Sequence, residues 1–186
     1  MKHAHKIHKE HKFSWVQACW LVAAVILFAA AVFALITHDN LTLAARTLGM
    51  AMFIAGAINL FVCIRKSHEI HGSRWLIADG ICTLLLAIFP LFNQLSSPVL
   101  IPFFFGMWEL FSGVIKVMDG VELKEEHYHP WKAISLIGWM ELISGTASLI
   151  KPLDDLVGIN KVIAVIFLVQ CTGFAVKAFM YKYLTE

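Results

Sequence analysis

The sequence reads as an all-α, polytopic membrane protein with six transmembrane helices arranged as three tandem helical hairpins. Three observations lead there. Of 186 residues, 59% are hydrophobic and only 15% charged, whereas a soluble domain carries about 25% charged residues. Six apolar runs follow one another, each near the ~20 residues needed to cross about 30 Å of hydrocarbon. Lys and Arg gather in alternate connections between those runs.

Residues 1–14 form a basic tail, MKHAHKIHKEHKF before Ser14, rich in Lys and His and free of any apolar stretch. The run behind it is too long for a signal-peptide core and no small-residue cleavage site closes it, so the tail is expected to stay attached. The transmembrane domain, 15–181, then divides into hairpins 15–66, 75–120 and 131–181. Its apolar runs are Trp15 to Thr37, Thr42 to Ile64, Trp75 to Phe92, Ser97 to Met118, Trp131 to Ile150 and Val157 to Met180. The third run ends at Pro90, and the fourth opens with Pro98 and Pro102, where a first turn tolerates proline.

Flanking charge sets the expected orientation. Lys2, Lys6, Lys9 and Lys12 precede the first run, Arg65, Lys66 and Arg74 join the second to the third, Lys124 and Lys132 lie between the fourth and fifth, and Lys177 and Lys182 end the chain. The opposite connections hold Arg46, Lys151 and Lys161. By the positive-inside rule both termini face the cytoplasm. Net charge is only +2 and forms no basic groove, which argues against nucleic acid as a partner. Cys19, Cys63, Cys82 and Cys171 all fall inside apolar runs and read as small buried hydrophobes.

Once the spans are drawn, a repeat is visible. Trp15, Trp75 and Trp131 open the odd helices as interfacial anchors, and Gly56, Gly113 and Gly173 sit inside the even ones in the settings AGAINL, SGVIKV and TGFAVK. Each hairpin begins and ends on one side, so the copies are parallel repeats. With SGVIKV, ISGTASLIKP, Pro90, Pro152 and the basic tail, the chain resembles the HdeD family of acid-resistance membrane proteins. The resemblance implies a six-helix bacterial inner-membrane protein linked to survival of acid stress. It brings no catalytic residues with it, and the histidine tract stands apart from it.

The residues that can carry chemistry lie within the spans. Trp108-Glu109-Leu110-Phe111-Ser112-Gly113 is answered by Trp139-Met140-Glu141-Leu142-Ile143-Ser144-Gly145. Each copy places an acid, a serine and a glycine on one helical face. Lys116 shares the first face, and Gly138 and Ser148 share the second. A charge at mid-bilayer costs roughly 2.5 to 3.5 kcal/mol on insertion scales, so both faces should turn into the bundle. If Glu109 and Glu141 meet, they can share a proton; otherwise each is held by Ser or Lys116 and serves packing. Asp79 and Asn59 are candidates to join them, because the second and third helices are consecutive. Asp119 and Lys177 are expected at the interface, with Lys177 snorkelling. Gln170 lies deep in the sixth helix.

Histidine supplies a second candidate, for pH sensing. His3, His5, His8 and His11 fall in the tail, and His68, His71, His127 and His129 fall on the same expected side, leaving His38 opposite. Histidine changes charge near physiological pH, so acidification would tighten the tail on anionic lipid. His5, His8 and His11 have metal-like spacing in a helical tail, but a solvated basic tail is the simpler reading, and no metal or cofactor is expected.

No nucleophile elbow, phosphate loop or His/Glu metal motif is present in the sequence, so no enzyme is expected. Three functions remain: a non-catalytic acid-stress protein, a small proton or ion transporter using the intramembrane carboxylates on an unknown substrate, and a scaffold recruiting a partner through the 119–130 loop. The lipid bilayer is the certain partner. The alanine-rich first helix (Ala23, Ala24, Ala29, Ala30, Ala31, Ala34) suits close packing or a homo-oligomer.

Overall fold

A computed structural model describes residues 14–37, 41–92, 100–150 and 158–185. Among these the chain forms six helices: α1 (Trp15–Ile36), α2 (Leu41–Arg65), α3 (Ser73–Leu91), α4 (Leu100–Glu125), α5 (Trp131–Leu149) and α6 (Ile159–Thr185). The tail histidines His3, His5, His8 and His11, together with His38, Pro98 and Pro152, lie outside the described residues.

Five of the helices, all but α5, are long and apolar enough to cross a membrane. In α5 the average is diluted by Lys132, Ser135, Gly138, Glu141, Ser144, Gly145 and Ser148. The two ends of that dilution point differently: Glu141 and both glycines are buried, while Leu136, Trp139, Met140 and Ile143 face outward. The outward face of α5 is therefore apolar, like those of α1, α3 and α6, which expose Val25, Leu85 and Phe179.

Local chemistry sets the helix ends. Ser14 and Gln17 form a capping box that starts α1, with the Ser14 amide donating to Gln17 Oε1 at 3.0 Å. Pro90 sits in the last turn of α3 rather than beyond it, and Pro102 lies in the first turn of α4, where no intrahelical N–H is lost. After α4 the chain turns at His127, φ +62°, with the amides of His127 and Tyr128 donating to the carbonyls of Lys124 and Leu123. This is a Schellman ending with histidine at the left-handed position that usually takes glycine.

Each helix packs on the next, α6 returns to α1 to close the bundle, and α4 also touches α6. The most extensive interfaces join α4 to α5, α1 to α6 and α2 to α3; the pairs that make up the expected hairpins meet over smaller surfaces. Small residues explain this choice. Gly106, Gly113 and Gly120 recur every seven residues on α4 and face Gly138 and Gly145 on α5, so the same seam stays in register along both helices. A Cβ on Gly113 would lie 2.9 Å from the Gly138 carbonyl oxygen, which shows how close the backbones run. Gly49 abuts Pro90 and Gly56 abuts Thr83 between α2 and α3. On α1, Ala23, Ala24, Ala30, Ala31 and Ala34 turn inward, while Ala29 is exposed. Gln17 donates to the Ala178 carbonyl at one end of the α1–α6 contact, and Asn160 donates to the Thr37 carbonyl at the other.

The start of α1, the end of α6 and the α2–α3 and α4–α5 connections share one end of the bundle. His71 Nε2 and Tyr128 Oη, 2.6 Å apart, tie the two connections together, and the Trp75 indole donates to Glu122 beside them.

Candidate functional site

The helical faces chosen by spacing converge on a single buried network. On α4 the residues Glu109, Ser112, Lys116 and Asp119 recur every three or four positions, so they descend one face of the helix. All four are at most 3% exposed. Lys116 is the hub. Its ammonium donates to Ser112 Oγ at 2.6 Å, to Glu141 Oε1 at 2.5 Å and to Gln170 Oε1 at 3.4 Å, which draws α5 and α6 onto α4.

From the hub the network extends both ways. Toward the connected end, Ser112 donates to Asp79 Oδ1 at 2.7 Å, and Asp79 Oδ2 accepts from Lys177 Nζ at 3.2 Å and from Asn59 Nδ2 at 3.4 Å. Asn59 also donates to the Leu76 carbonyl at 3.1 Å, which fixes α2 against α3. Toward the opposite end, Glu109 accepts from Gln170 Nε2 at 2.9 Å and from Ser144 Oγ at 3.0 Å. Glu109 and Glu141 thus join through Gln170 and Lys116.

Every candidate of the intramembrane site, Glu109, Glu141, Asp79, Lys116 and Asn59, belongs to this network. Ser112 and Ser144 act as hydrogen-bond links. Two interfacial expectations are corrected. Lys177 does not snorkel; it is 5% exposed, bonded to Asp79, with its ammonium 5.0 Å from the Phe174 ring centroid. Asp119 is 2% exposed, and its Oδ1 has no hydrogen-bond partner among the described residues. Both stand near helix ends in the sequence, but the neighbouring elements cover them. Gln170 was visible as a polar residue in an apolar run; its role as the bridge depends on packing.

Beyond Glu109 the core turns aromatic. Phe105, Trp108 and Phe167 are at most 1% exposed and pack edge to face or tilted, with ring centroids 5.4 to 6.5 Å apart. The Trp108 indole donates to Thr83 Oγ1 at 3.1 Å, so its polar edge is satisfied. This cluster closes the network on the side away from the connected end.

Electrostatics follow from a count. Asp79, Glu109 and Glu141 bring three carboxyl groups against the two ammonium groups of Lys116 and Lys177. One proton balances the cluster. Glu141 Oε2 has no hydrogen-bond partner among the described residues, so a carboxyl oxygen with an unused position lies at its centre.

Residues 78–150 match the family model described as a short repeat of unknown function, DUF308. The matched stretch runs from within α3 through α4 and α5, and so takes in Asp79, Glu109, Ser112, Lys116, Glu141 and Ser144, but not Asn59, Gln170 or Lys177. No curated protein and no solved structure matches the chain. The core of the network therefore lies in the segment that this family model matches.

Proposed function

We propose that this chain is a non-catalytic, HdeD-like inner-membrane protein that responds to acid, using its buried network as a proton-binding site. Both termini and the α2–α3 and α4–α5 connections face the cytoplasm in this reading, α5 spans the bilayer with the other five helices, and the three hairpins are tandem repeats of one ancestral unit. The positive-inside distribution of Lys and Arg and the outward apolar face of α5 support it.

The observation that carries the reading is the network's composition. Five ionisable side chains are brought into one hydrogen-bonded cluster inside the bundle, although packing alone has a cheaper means in the glycine seam. Placing five charges at membrane depth costs roughly 12 to 18 kcal/mol before pairing, by the same insertion scale. Intramembrane ionisable groups of that kind mark proton or ion sites by default. The ionisable members of the network are at most 5% exposed, so a hydrated cation has little room beside them, and a proton fits the chemistry better. The aromatic cluster of Phe105, Trp108 and Phe167 favours uptake from one side over conduction across the bundle.

The test is infrared difference spectroscopy on the protein in nanodiscs, stepping from neutral to mildly acidic buffer. Expected is a carboxyl C=O band in the parent that is altered or lost in Glu109→Gln and Glu141→Gln. Identical difference spectra in all three would remove the reading. Proton flux into liposomes separates the transporter alternative: flux above empty vesicles, lost in the same variants, would replace binding by conduction.

A further inference from the structure

Resting on the proton-binding reading, we infer that Asp119 is the group through which the network exchanges protons with water at the connected end of the bundle. The α2–α3 connection and the end of α4 enclose a polar pocket of about 410 Å³, lined by Ser67, His68, His71, Arg74, Glu122 and Glu126, with Gly72 in its wall. Gly72 has φ +73° and no side chain, and Asp119 Oδ1 occupies the place its Cβ would take. The carboxyl thus lies against Gly72, a residue of the pocket wall. It is buried, and the Oδ1 that lies against Gly72 accepts no hydrogen bond among the described residues.

On its inner side Asp119 lies one turn beyond Lys116 on α4. The charged and titratable groups within electrostatic range of it are Lys177 on α6, Asp79 on α3, Cys63 on α2, and Lys116 and Glu122 on its own helix. Lys177 and Asp79 are already members of the network. Asp119 therefore stands between the pocket and the first carboxyl of the cluster. As a carboxylate it takes a proton from pocket water and returns to carboxylate when that proton passes inward to the network; no bond other than O–H is made or broken. Gly72 is required in the wall because any side chain there displaces the carboxyl.

A pH jump on the protein in nanodiscs, followed by the rate of the carboxyl infrared change, tests the assignment. Asp119→Asn should slow that change strongly while leaving its final size in the inner carboxyls, and Asp119→Glu should restore much of the rate. A second variant avoids any folding defect. Ser67→Cys, labelled with a bulky charged thiol reagent, should slow the change by blocking the pocket, whereas the parent, with only Cys19, Cys63, Cys82 and Cys171, should not respond to the reagent. A parent rate in folded Asp119→Asn, or in labelled Ser67→Cys, overturns the role of Asp119 and leaves the proton-binding reading intact. Absence of any acid-induced change in the parent overturns both.

Discussion

Lys116 on α4 and Glu141 on α5 form a salt bridge of 2.5 Å in which neither side chain is more than 3% exposed. Removing one partner strands the other charge inside the bundle, at a cost of about 3 to 5 kcal/mol. Lys116→Met should show that loss in the unfolding free energy measured in mixed micelles. The double variant Lys116→Met/Glu141→Met should lose less than Lys116→Met alone, because neither member of the pair is left stranded by loss of the other. Additive losses would mean that the two groups do not depend on each other.

Glycines in the α4–α5 seam should respond differently from one that merely sits in a helix. A Cβ at Gly138 would stand 2.8 Å from the Val117 amide nitrogen and 2.9 Å from the Gly113 carbonyl oxygen, both backbone atoms that cannot turn aside. Gly138→Ala should destabilise by about 1 to 3 kcal/mol as the helices part. At Gly173 the nearest atoms are 3.4 Å away, so Gly173→Ala should be neutral or gain up to about 1 kcal/mol from helix propensity. Thermal melts of the two variants, side by side, check the contrast.

His127 holds the left-handed position of the α4 ending at φ +62°. Glycine adopts that backbone without the Cβ clash, so His127→Gly should raise stability by about 0.5 to 1 kcal/mol. A fall in melting temperature would show that the histidine side chain contributes more than the strain it causes.

Ile143 faces outward from α5 and is 68% exposed. With α5 in the bilayer, Ile143→Asp should cut membrane integration, at a penalty of about 2.5 to 3.5 kcal/mol in an insertion assay. Unchanged integration would place α5 outside the hydrocarbon and remove the six-span arrangement.

The limits of sequence reasoning show at particular residues. Glu109, Ser112, Gly113 and Lys116 could be assigned to one face, and Gly138 and Glu141 to another, because helical spacing alone dictates which residues stand together on an element. Asp79 and Asn59 could be offered as companions because consecutive helices tend to be neighbours. Nearness to the helix ends predicts an interfacial place for Lys177 and Asp119, yet depth along a helix does not determine what covers a side chain. The wall over Asp119 is Gly72, nearly fifty positions earlier in the chain.

By itself the sequence determined the membrane class, the apolar runs, the asymmetry of basic connections and the polar faces, since each depends on composition or on a period along one element. Which helices pair most closely, and therefore that Lys116 meets Glu141, Gln170 bridges to Glu109 and Lys177 meets Asp79, was decided only in the tertiary structure. The physical reason is that lipid gives no hydrophobic preference for one helix partner over another. Glycine seams and the pairing of buried charges make that choice, and both require two surfaces at once.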